Sequence, residues 1–130
     1  MKYLRVRHQG AERLGRIAGD SVELLDGDLF GAPRPTGETV PLAGVEWLMP
    51  CVPPKMIIIV NNFHAAVQKA GGSVPAEPLF LVRSPTALNW HGQPIPKPLA
   101  FDGRVFYEGE LGVVIGKVAR NLDEAQAADA

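Results

Sequence analysis

Apolar and polar positions alternate along the first thirty residues in the two-residue rhythm of strands that cover a core on one side. Leu14-Gly15-Arg16-Ile17 and Val22-Glu23-Leu24-Leu25 carry that rhythm, and Gly19-Asp20 between them is a hairpin turn signal. Residues 31–38, Gly31-Ala32-Pro33-Arg34-Pro35-Thr36-Gly37-Glu38, interrupt it and read as a connector. Val40 to Pro54 follows, with Trp47-Leu48-Met49 as a short apolar anchor and Pro50, Pro53 and Pro54 stiffening the path. Met56-Ile57-Ile58-Ile59-Val60 is a continuous apolar run, the pattern of a fully buried strand. Asn61 or Asn62 then caps a short helix through Ala70, with Lys69 in its last turn and Gly71 as its stop. Leu79-Phe80-Leu81-Val82 is a further strand. Residues 84–98 turn loop-like under Ser84-Pro85, His91-Gly92, Pro94, Pro96 and Pro98, and a loop of that length in a compact domain either carries function or hides an element that the pattern does not reveal.

The last apolar stretch carries the chemistry. Val105-Phe106-Tyr107-Glu108-Gly109-Glu110-Leu111-Gly112-Val113-Val114-Ile115 reads as a buried strand with two carboxylates inside it. On a strand, residues two apart share a face with Cβ atoms roughly 6–7 Å apart. Glu108, Glu110, Gly112 and Val114 therefore share one face, and Tyr107, Leu111, Val113 and Ile115 the other. Two readings follow from the spacing. The pair is a site for a hard divalent cation, whose remaining ligands are waters or substrate oxygens. Alternatively, the strand has one solvated face, as antiparallel sheets often do. Asn121 to Ala128 starts like a helix with an asparagine cap and acids in its first turn, and the chain is expected to be cut inside that element.

Composition narrows the classes of partner. The 130 residues make one domain, or one small domain and the start of a second, and 46% hydrophobic content suffices for a core. Thirteen Lys and Arg against fourteen Asp and Glu leave no basic stripe, which argues against nucleic acid or an anionic membrane surface as main partner. No segment has the length of a membrane span, and Met1 to Arg7 lacks the apolar stretch of a signal peptide. The single Cys51 excludes an intrachain disulfide and suits a reducing cytoplasm; its proline neighbours offer it no activator, so it is structural. Twelve prolines and fourteen glycines point to a β-rich chain with many turns.

The order of these pieces resembles the fumarylacetoacetate hydrolase family. The landmarks are Pro54-Lys55-Met56-Ile57, Asn61-Asn62-Phe63-His64-Ala65, Glu77-Pro78-Leu79-Phe80, Arg83-Ser84-Pro85-Thr86-Ala87-Leu88 and His91-Gly92-Gln93-Pro94-Ile95. Tyr107-Glu108-Gly109-Glu110-Leu111-Gly112-Val113-Val114-Ile115-Gly116-Lys117 is the most specific of them. The resemblance implies an α+β, β-rich fold: a small antiparallel β domain over residues 1–50, then the first part of a mixed-sheet catalytic domain over 51–130, truncated.

It also implies an activity. Family members hydrolyse, decarboxylate or isomerise 2-oxo and 1,3-dicarbonyl acids in the catabolism of aromatic or small organic acids, generally with Mg²⁺, Mn²⁺ or Ca²⁺ as Lewis acid. By resemblance, Glu108 and Glu110 are metal ligands and His64 is the catalytic base. Asn62, Arg83 and His91 are then substrate-binding, and the enzyme is a homodimer taking a small-molecule oxo acid. Three departures qualify the carry-over. The glutamate expected three residues after His64 is Val67, followed by Gln68, which favours isomerisation or decarboxylation while leaving hydrolysis of an acylpyruvate open. Arg83 stands where lysine is common, keeping the charge but not its point-like geometry. The third metal ligand, an aspartate beyond the two glutamates, has no counterpart here, since Asp123 and Asp129 lie in the final helix. The alternative expectation is a non-catalytic N-terminal fragment that folds or associates without a complete metal site.

Overall fold

The structure, a computed structural model, describes residues 1–130. Five antiparallel strands form the first sheet: β1 (Tyr3–His8), β2 (Ala11–Ala18), β3 (Ser21–Asp26), β4 (Arg34–Pro41) and β5 (Glu46–Trp47). Their order is β4-β3-β2-β1-β5. The turns explain the up-and-down path of β1 to β4, after which the chain crosses to the other border and β5 pairs with β1. Gln9 and Gly10 take φ of 50° and 78°, the left-handed pair that a two-residue hairpin requires, and Gly19 (φ 60°) serves the next turn.

Alternation gives this sheet one apolar and one charged face. Leu4 on β1, Val22 and Leu24 on β3 and Val40 on β4 are buried together with Val6, and Ile17, Leu42, Val45 and Trp47 pack around them. The opposite face carries ion pairs between neighbouring strands, Arg5 with Glu12 and Arg16 with Glu23. At one edge, Arg7 donates from Nε to Glu46 at 3.1 Å, tying β5 to β1. The core sits entirely in this sheet, apart from Val67.

Residues 31–38, expected to be a connector, instead supply most of β4. The strand is at the edge of the sheet, where Pro35 can face away from the ladder, so proline does not exclude it. Gly37 (φ 86°) marks the irregular register between β3 and β4.

The second unit is smaller. β6 (Met56–Val60) pairs antiparallel with β7 (Leu79–Arg83), and α1 (His64–Lys69) lies in the connection. β6 is not fully buried: Ile57 and Ile59 are exposed, and Met56, Ile58 and Val60 are half-buried. Every residue of β7 is exposed. α1 begins later than its asparagines suggested, because Asn61 takes φ 55° and turns the chain, leaving Phe63 as a cap without a side-chain hydrogen bond. Gly71 (φ 73°) ends it as expected.

Residues 104–115 form neither strand nor helix, and all are exposed. The alternation there is real, but a strand also needs a neighbour's hydrogen bonds. β6 and β7 pair with each other, and residues 104–115 pair with neither of their open borders. The final helix, α2 (Glu124–Ala127), is capped by Asp123 rather than Asn121. Its capping box is complete: Gln126 donates its backbone N–H to Asp123 Oδ1 at 2.8 Å, and Gln126 Oε1 accepts from the Asp123 backbone at 3.0 Å. The chain is thus β-rich with a five-stranded antiparallel sheet, a two-stranded sheet and few helices. No helix is long and apolar enough to cross a membrane.

Candidate functional site

The register of the β6–β7 hairpin decides what can meet at its ends. Val60 pairs with Leu79, so residues just after Val60 and just before Leu79 converge. There the left-handed Asn61 redirects the chain into α1, with His64 as its first residue. The result is a recess of about 170 Å³ whose polar lining includes Asn62, His64 and Glu77, walled by Ile59, Pro75 and Pro78. Asn62 and His64, both sequence candidates, are therefore brought together.

Val67, three residues after His64, does not share that recess. It is the one buried residue of α1, and its Cγ1 lies 3.3 Å from where a Cβ on Gly72 would stand. An apolar side chain at 67 secures α1 to its own C-terminal turn. The carboxylate that does line the recess is Glu77. Sequence reading gave Glu77 no role, although the pairing of the runs at 56–60 and 79–83 places residue 77 beside residues 61–64.

The other candidates stand elsewhere. Arg83 is the last residue of β7 and pairs with Met56, at the far end of the hairpin from His64. Four strand steps, about 13 Å, separate it from Leu79. His91 belongs to the 84–98 loop and meets the first sheet: its ring centroid lies 5.6 Å from that of Trp47, with the planes tilted by 44°. Glu108 and Glu110 lie on the exposed 104–115 segment. Phe63, the residue before His64, is about half exposed. No three His, Cys, Asp or Glu side chains gather as a metal cage would require.

The carboxylate pair fits a divalent ion in kind rather than as a closed cage. Two carboxylate groups one residue apart are hard oxygen donors, and Mg²⁺ is commonly held by one or two carboxylates with its shell completed by water or substrate. Glycine at 109 and at 112 leaves open space beside both, since a Cβ at either would touch nothing within 4 Å.

Comparison with known proteins bears on the whole arrangement. The family described as fumarylacetoacetate (FAA) hydrolase, C-terminal, matches residues 55–130, and the one described as Rv2993c-like, N-terminal, matches residues 1–50. Protein Rv2993c of Mycobacterium tuberculosis is 33% identical over 135 residues, covering 90% of this chain and 51% of that protein. The oxaloacetate tautomerase YcgM of Escherichia coli is 34% identical over 70 residues, covering 54% of this chain and 32% of its own length. Among solved structures, the 2-hydroxyhepta-2,4-diene-1,7-dioate isomerase of Mycobacterium marinum shares the fold with a TM-score of 0.55 at 23% identity, over 67% of this chain and 33% of its own. The chain spans about half the length of the first of these relatives and about a third of the others.

Proposed function

The chain belongs to the fumarylacetoacetate hydrolase family, and from that premise we propose that it carries the catalytic histidine and two metal-binding carboxylates of an enzyme acting on a 2-oxo or 1,3-dicarbonyl acid. The observation that carries this reading is the family match over residues 55–130, which contains His64, Glu108 and Glu110 together. An oxaloacetate tautomerase among the relatives supports a small oxo-dicarboxylate as substrate.

His64 is the proton-moving group. Its place at the first turn of α1, in a recess lined by the Asn62 amide, suits a base that takes a proton from a carbon next to a carbonyl. Asn62 orients the substrate by hydrogen bonding; Arg83 and His91 keep the substrate-binding role that the family resemblance implies, and both would have to approach from outside the recess that holds Asn62 and His64. Glu108 and Glu110 hold Mg²⁺, Mn²⁺ or Ca²⁺, which when bound supplies Lewis acidity toward the oxygens of the oxo acid. With Val67 packed inward, no carboxylate at that position is available to activate water beside His64. The missing carboxylate at 67 tilts the reading toward isomerisation or decarboxylation, while Glu77 in the same recess leaves hydrolysis of an acylpyruvate open. A cytoplasmic homodimer completes the proposal.

Calorimetric titration with Mg²⁺ and Mn²⁺, beside a Glu108→Ala, Glu110→Ala double variant, tests the metal role. Saturable binding that the variant loses is the expected result. Binding that survives in the variant removes the two glutamates from the site. His64→Ala should keep metal affinity and lose oxaloacetate keto–enol conversion; unchanged turnover would remove His64 from its role.

A second reading is a chain that folds and associates without completing a metal site. It is favoured by the full exposure of β7, with Phe80 62% and Val82 69% accessible, which leaves an apolar surface suited to association. Absence of saturable metal binding, together with a mass above 14.0 kDa in solution, would select it.

A further inference from the structure

The 84–98 loop makes one ring-to-ring contact outside itself, and that contact is with the first sheet. Trp47 closes β5, and its backbone pairs with Val6, a fully buried residue of β1. The indole also packs against the buried cluster, so its position is fixed by the sheet rather than by the loop. Against it stands the His91 imidazole, 5.6 Å away between centroids. An open, mainly apolar recess of about 280 Å³ lies at this junction, lined by Tyr3, Leu48 and Met49 from one side and by Trp90 and His91 from the other.

The loop tip is organised so that holding one residue holds several. Asn89 donates from Nδ2 to the Pro94 carbonyl at 2.9 Å, and its Oδ1 accepts from the Trp90 backbone N–H at 2.9 Å. Gln93 donates its N–H to the Trp90 carbonyl at 3.1 Å, and Gly92 (φ 77°) makes the turn. Residues 89–94 therefore form a closed clasp with His91 at its apex.

We propose that Trp47 is a positioning residue: its indole seats His91 and with it the 89–94 clasp, so the N-terminal sheet sets where this loop stands. The consequence for substrate rests on the reading of His91 as a substrate-binding group. The seating itself does not. Rings at this separation and tilt prefer each other over water, and the contact suppresses opening of the clasp by about two- to twelvefold.

The experiment uses the full chain and needs neither metal nor substrate. Nuclear magnetic resonance of His91 and hydrogen exchange of residues 89–94 are compared for wild type, Trp47→Phe, Trp47→Ala and His91→Ala. In wild type the His91 ring protons should be displaced by the indole ring current. Trp47→Phe should retain part of that displacement, and Trp47→Ala should return the protons to unstructured values. His91→Ala should speed exchange in the clasp about two- to twelvefold. Strands β1 to β3 should be unaffected, which decides the matter even if Trp47→Ala unfolds the sheet. Undisplaced His91 protons in wild type, or unchanged clasp exchange in His91→Ala, would overturn the proposal. A chain that binds none of Mg²⁺, Mn²⁺ and Ca²⁺ would count against the metal-site reading while leaving these two readouts to decide the seating.

Discussion

Gly15 lies in the middle of β2, hydrogen-bonded into the sheet on both sides, opposite Leu4 on β1 and Leu24 on β3. A Cβ at this position overlaps Cγ1 of Val22 and also meets the Glu23 carbonyl at 3.4 Å and Leu4 Cδ2 at 3.5 Å. Val22 cannot swing away easily, since it is fully buried and β-branched. We predict that Gly15→Ala is destabilising. Overpacking of this kind costs about 1–3 kcal/mol. Removing glycine's unfolded-state freedom returns about 0.5–1 kcal/mol, leaving a net loss near 0.5–2 kcal/mol. Val22→Ala alone deletes two buried methyl groups, about 1.6 kcal/mol by transfer, and about 2 kcal/mol with the cavity it leaves. In the double variant the overlapping atom is gone and the new methyl occupies part of the vacated space. The pair should then lose about 1–2 kcal/mol in total, against about 2.5–4 kcal/mol if the effects were independent. Urea unfolding followed by circular dichroism and by the combined emission of Trp47 and Trp90 measures all four corners of the cycle. Additivity within about 0.5 kcal/mol would refute the overlap as the cause.

Three further outcomes are expected. Arg16→Ala removes the pair with Glu23 on the charged face, where both side chains remain partly accessible (34% and 25%), so stability should fall by less than about 1 kcal/mol and less still in high salt; a larger loss by urea titration would contradict the face assignment. Asp123→Ala dismantles the α2 capping box and should fray that helix by about 1 kcal/mol, visible as faster exchange at residues 124–127 with the first sheet's midpoint unchanged. The exposed apolar side chains of β7 and of residues 105–115 should bind an apolar fluorescent dye, and Phe80→Ser with Val82→Ser should reduce that signal; an unchanged signal would place the dye elsewhere.

Much of the first sheet was legible because its rhythm is binary and its turns are chemically marked. The runs at 14–17 and 22–25 became β2 and β3, and Gly19 made the turn between them. β4 was hidden by Pro33, Pro35 and Gly37, since an edge strand tolerates residues that a central one does not. The start of α1 shifted because asparagine at 61 was used for its tolerance of positive φ rather than for capping. Capping of α2 moved from Asn121 to Asp123, where Gln126 stands three residues on, a signature readable in the sequence. The 105–115 strand is the instructive difference. Periodicity states which side chains would share a face; it does not supply the neighbouring strand that makes a face exist. The same distinction holds for the site. His64 and Asn62 are joined by local geometry, whereas Glu77 enters the recess only through hairpin register, and His91 reaches Trp47 only through the tertiary fold.

The sheet borders give the two units opposite capacities for growth. In the first sheet one border strand carries Pro35 and Pro41, which withhold ladder donors, and the other, β5, is only two residues long. Neither offers a template to an incoming strand. The β6–β7 hairpin has five residues in each strand, no proline within either, and an open border on both sides. Strand addition, whether by a second copy or by another segment, therefore has its openings on β6 and β7. The polypeptide is a closed module joined to an extensible one, and only the extensible one is attached to the histidine recess.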